Sequence, residues 1–158
     1  MPLTTIETEN PVASLAERLV SSYVDAVGSR DPSHVIGLFR NDARLLSTFI
    51  PHKYDGLSQI RNFYEVYFRI IQKTEVIGSL DSVVFMEDDQ GEPSVVSVMF
   101  CFKATIPELL KNTNGNDPES EPFCTFYTDL TLTFSRKKNG NGWKIAQYQE
   151  TLRSPQNQ

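Results

Sequence analysis

Every helix-like period in this chain lies before residue 72, and every long alternating run lies after residue 74. That order constrains the fold more than any single motif. A chain that makes its helices first and its long strands afterwards does not build alternating strand–helix units. It segregates helices to one face of an antiparallel sheet, so the expected class is α+β. The first helix is predicted to open at Pro11. Val12, Leu15, Leu19, Tyr23 and Val27 recur at three- and four-residue spacing, Ala16, Val20 and Val24 widen the apolar stripe, and Gly28 ends it. Asp31-Pro32 caps and opens a second helix with Val35, Ile36, Leu38 and Phe39 inward. A short strand is expected from Arg44 to Phe49, then a loop over Pro51–Gly56. A third helix starts at Leu57 or Ser58 and buries Ile60, Phe63, Tyr64, Tyr67, Phe68 and Ile71.

Four strands follow: Glu75–Met86, Ser94–Ile106, Phe123–Ser135 and Trp143–Leu152. Asp88-Asp89-Gln90-Gly91-Glu92-Pro93 and Asn139-Gly140-Asn141-Gly142 have hairpin-turn composition. Lys111–Pro122 reads as a long polar loop. Residues 1–10 read as a flexible arm, 11–153 as one domain and 154–158 as a flexible tail. A length of 158 residues suits a single core.

Bulk properties exclude several classes. Hydrophobic content of 39% and charged content of 22% describe a folded chain. A net charge of −5 argues against a nucleic-acid surface, which needs clustered cations. The basic run Arg136-Lys137-Lys138 adjoins the Asn-Gly turn and reads as a solvated hairpin tip. No segment approaches the roughly 18–20 apolar residues of a membrane span. The acidic, polar start is unlike a secretion signal, so a cytoplasmic protein is expected. Cys101 and Cys124 lie inside strand patterns and are expected to be free and buried. With two histidines, His34 and His52, no metal site and no cofactor are expected.

Three segments carry a resemblance: LFRNDA (residues 38–43), YDGLSQIRNFY (54–64) and the closing GWKIAQYQ (142–149). Following an amphipathic helix in this order, they resemble the SnoaL-like branch of the nuclear transport factor 2-like superfamily over nearly the whole chain. The resemblance implies a sheet curled into a cone around the helices, an apolar pocket at its open end, and a homodimer through the outer sheet face. Tyr148 and the Thr131/Thr133 row are expected on that outer face. A fold of this kind hosts many activities.

Within that frame several side chains could carry chemistry. Tyr23 matches the tyrosine that ketosteroid isomerases use as an oxyanion donor; it serves equally as a core tyrosine. Counting from the Asp-Ala dipeptide, the general-base aspartate of those enzymes falls on Ser47. Their second acid falls on Leu130, one residue from Asp129. The paired histidines of the related scytalone dehydratase are not matched. His52 and Tyr54, in the loop after the first strand, could titrate or bind at the pocket mouth, or face solvent. Arg44 and Asp129 could pair near Tyr127 to orient water or polarise a carbonyl, or form a rim salt bridge. Strand alternation puts Gln147 and Gln149 on the face of Trp143 and Ile145, as a polar pocket wall, and Glu150 on the dimer face. A bulge would reverse that parity. The expected function is a small cofactor-independent isomerase, cyclase or dehydratase acting on an apolar small molecule. The alternative is a non-catalytic dimeric binding module.

Overall fold

The first helix, α1 (Pro11–Gly28), forms where the apolar spacing placed it and buries Val12, Ala16, Val20, Tyr23 and Val27. The computed structural model describes residues 4–5, 11–48, 52–107, 123–136 and 142–153. A short α2 (Pro32–Ile36) follows, with the Asp31 carboxylate accepting from the Ser33 amide and Pro32 in the first turn. The third helix, α3 (Gly56–Ile70), turns Ile60, Phe63, Tyr64, Tyr67 and Phe68 inward.

Seven strands form one curved, unclosed sheet in the order β1-β4-β5-β6-β7-β2-β3. They are β1 (Thr4–Thr5), β2 (Phe39–Ser47), β3 (His52–Asp55), β4 (Lys73–Glu87), β5 (Pro93–Pro107), β6 (Phe123–Arg136) and β7 (Trp143–Leu152). The class is α+β, with the helices against the inner face. The pairing is antiparallel except between β2 and β7, which run parallel. The β4-β5-β6-β7 meander brings β7 beside β2 with no hairpin joining the two, so nothing imposes the antiparallel sense there.

Three elements differ from the sequence expectation. β2 begins at Phe39 rather than Arg44, because Gly37 ends α2 and Phe39 already pairs with Ile145. Residues 52–55 form a strand rather than a loop, pairing antiparallel with β2 from Ser47↔His52 to Arg44↔Asp55. Thr4 and Thr5, expected in a free arm, pair with Phe85 and Val84 of β4. The rest of the arm, the loop 111–122, the hairpin tip 137–141, the tail and the Cys124 side chain lie outside the described residues.

The core is aromatic. The Phe63 ring meets Tyr54, Tyr64, Tyr67 and Tyr148 with ring centres 5.2, 5.0, 5.5 and 5.9 Å away. Such spacings suit edge-on and tilted contacts between aromatic quadrupoles. Phe100, Phe102, Leu130 and Leu132 close the core from the sheet side. The sheet bends at irregularities. Residues 78–81 of β4 bulge opposite Phe100, residues 40–43 of β2 bulge opposite Ala146, and Ala146 itself is an extra residue against β6.

Candidate active site in the sheet interior

The bulge at Ala146 decides what the last strand contributes. Phe134 pairs with Ile145, but Thr133 pairs with Gln147. One extra residue reverses the alternation, so every side chain after it changes face. Gln147 and Gln149 are therefore exposed on the outer face rather than forming a pocket wall. Tyr148 and Glu150, expected on the outer face, point inward and are 0% and 3% exposed.

A buried polar cluster results. α1 supplies Tyr23 and α3 supplies Tyr64, and their hydroxyls are hydrogen-bonded at 2.8 Å. β2 supplies Ser47, whose hydroxyl donates to the Glu150 carboxyl at 2.8 Å. Ser47 and Glu150 are register partners across the parallel junction, which is why they meet. Tyr148 stands near both Tyr23 and Glu150 and stabilises the charged form of each, although its hydroxyl makes no hydrogen bond of good geometry with a described residue. Thr128 of β6 also faces Glu150 and is buried.

Electrostatics follow from this burial. Desolvation raises the Glu150 carboxyl above its ordinary range, and the Ser47 hydrogen bond, with smaller help from the nearby Tyr148 and Thr128 hydroxyls, only partly opposes it. Desolvation also pushes the Tyr23, Tyr64, Tyr67 and Tyr148 phenols upward, so all four are neutral donors at physiological pH. The cluster thus combines a carboxyl that can take or give a proton with phenols that can donate to a developing oxyanion.

The other sequence candidates are dispersed. Arg44 is exposed and pairs with Asp55 at 3.6 Å, not with Asp129. Asp129 lies on the outer face, bonded to Arg153 at 2.7 Å beside the free, buried Cys101. The Arg44–Asp129 couple therefore does not form. β2 and β6 are separated by β7, and both side chains point away from the helices. Tyr127 shares that outer face and is 42% exposed. Tyr54 is half-buried and stacks edge-on against Phe63, next to the cluster. His52 opens β3, and its side chain lies outside the described residues. His34 is exposed and bonds Ser29. Among the described residues no group of His, Cys, Asp and Glu is arranged to hold a metal ion, and no helix is long and apolar enough to cross a membrane.

Sequence reasoning missed Glu150, Tyr148, Tyr64 and Ser47 as one group. Ser47 had been reached only as the position of a missing aspartate. No sequence signal marks Ala146 as a bulge.

This architecture has many counterparts among solved structures. A ketosteroid isomerase-like protein from Erwinia carotovora atroseptica superposes with a TM-score of 0.69 at 14% identity, covering 92% of this chain and 99% of that one. A nuclear transport factor 2-like superfamily protein from Salmonella enterica gives 0.67 at 13% identity, covering 91% and 92%. A type 2 hexachlorocyclohexane dehydrochlorinase gives 0.62 at 15% identity, covering 92% and 90%. No family model matches the chain, and no curated protein matches it. The fold is that of the nuclear transport factor 2-like superfamily.

Proposed function

We propose that the chain is a small cofactor-independent acid–base enzyme whose proton-transferring group is Glu150. The observation that carries this reading is the Ser47–Glu150 contact inside the sheet. Ser47 occupies the position where the resembled isomerases carry a catalytic aspartate. The adjacent strand returns a carboxyl to the same neighbourhood, and burial holds its pKa above the usual carboxylate range. A raised carboxyl is the better base near neutral pH, because proton affinity and availability are then better matched. Tyr23 and its partner Tyr64 would donate to the oxyanion formed when a C–H next to a carbonyl is deprotonated. The substrate class is an apolar molecule with an enolisable carbonyl or an acidic C–H, and the reaction is an isomerisation, cyclisation or elimination. Such a substrate enters only by displacing side chains that now fill the interior.

That closed interior favours a second reading, a binding module without turnover. Tyr23, Tyr64 and Tyr148 are 0% exposed, as expected if the cluster only holds the core together. Both readings include a homodimer through the outer sheet face, where Met99 and Tyr127 are 39% and 42% exposed. The discriminating experiment is deuterium uptake from heavy water into a panel of enolisable apolar ketones. The enzyme reading expects uptake above the buffer rate, lost in Glu150→Gln and slowed on the order of 100-fold in Tyr23→Phe. Uptake at the buffer rate across the panel, with retained ketone binding, selects the module.

A further inference from the structure

A cavity of about 430 Å3, open to solvent on one side and sharing no residue with the Glu150 cluster, lies between α1 and β4. The fold builds it deliberately at a break in the sheet. Between Ile77 and Ser82 the β4–β5 register slips, and residues 78–81 arch away opposite Phe100. Gly78 permits the arch by adopting φ +74°, which a side chain would resist. Val76, Leu80 and Val83 form one wall, and Val20 and Val24 of α1 form the other. The volume falls in the range of small-molecule sites, and broad bulges cluster beside such sites.

The charged groups of the α1 wall are both acidic. Glu17, Ser21 and Asp25 recur every four residues, so they line a single stripe. Glu17 and Asp25 are exposed, and neither is in an ion pair with a described residue. Asp81 also lines the cavity, but its field is shared with Arg153. Among the described residues no lysine, arginine or histidine lines it.

We infer that this cavity binds a small molecule with an apolar body and a cationic amine. The valines and Leu80 take the body, and the Glu17 and Asp25 carboxylates meet the ammonium. The site is independent of Glu150, so it stands or falls separately from the acid–base reading.

Isothermal titration of the full chain with phenylbutylamine, phenylbutanol and phenylbutanoate tests it. The amine should bind about fivefold tighter than the alcohol, as a partly exposed ion pair allows, and the carboxylate should bind weakest. High salt should erase the amine's advantage by screening. Glu17→Gln combined with Asp25→Asn should equalise amine and alcohol at unchanged fold. Leu80→Trp should fill the cavity and abolish binding of both, whereas Glu150→Gln should leave binding intact. Equal binding of all three compounds by the wild type overturns the inference. So does an absence of binding, or a loss of amine binding in Glu150→Gln with none in the cavity variants.

Discussion

Tyr23→Phe removes one buried oxygen and little else. The ring contacts with Phe102 and Tyr148, at centre distances of 6.2 and 6.3 Å, survive in phenylalanine. The perturbation therefore falls chiefly on the 2.8 Å bond with Tyr64. A net hydrogen bond contributes about 0.5–1.5 kcal/mol, and leaving a buried partner unsatisfied raises the loss to about 1–3 kcal/mol. Tyr64→Phe alone should cost a similar amount, because it orphans the Tyr23 hydroxyl in turn. The double variant removes both partners and should cost clearly less than the sum, since two apolar edges then face each other. Urea denaturation of the four proteins, with m-values held equal, measures the cycle. A coupling of about 1 kcal/mol or more is expected, visible as a melting-temperature difference of about 2–4 °C. Strictly additive losses, or two neutral single variants, would refute the claim that these hydroxyls depend on each other.

Three other outcomes are expected. The folded state raises the Glu150 pKa from its ordinary 4.5. It therefore binds the proton more tightly than the unfolded chain does, and stability from this group is present below 4.5 and lost as pH rises through the folded value. Relative to wild type, Glu150→Gln should gain stability with rising pH across that window, at up to about 1.4 kcal/mol per pH unit, and then level off; a pH-independent difference in denaturation curves would contradict this. Phe63→Ala should cost about 3–5 kcal/mol by chemical denaturation, because the ring is fully buried against four others. Light scattering should return twice the chain mass, and Met99→Lys on the outer sheet face should shift it toward the monomer.

How far the sequence disclosed this structure depended on the kind of signal. α1 and α3 were legible almost to the residue, because amphipathic periods longer than three turns leave little choice. β7 was found with its bounds intact, since Trp143–Leu152 is flanked by a glycine turn and a polar tail. β2 and β3 were harder. Phe39 continues an apolar helical stripe as well as it begins a strand, and only its distant pairing with Ile145 decides. The site was half legible. Tyr23 sits on a regular helix, so its inward direction followed from spacing. Glu150 did not follow, because one unmarked extra residue at Ala146 exchanges the two faces of β7. Arg44 and Asp129 each found a closer partner, Asp55 across the β2–β3 hairpin and Arg153 at the end of β7. Such exchanges depend on tertiary proximity that residue identity does not encode.

The central claim is that the sheet interior holds a proton-exchanging carboxyl. Carbon-detected magnetic resonance of side-chain carboxyls, with Glu150→Gln to assign the signal, measures it directly. The account predicts that Glu150 titrates above 4.5, apart from the exposed carboxylates. Addition of a bound enolisable ketone should move its midpoint or its shift. A Glu150 midpoint at or below 4.5, indifferent to ligand, would contradict the account.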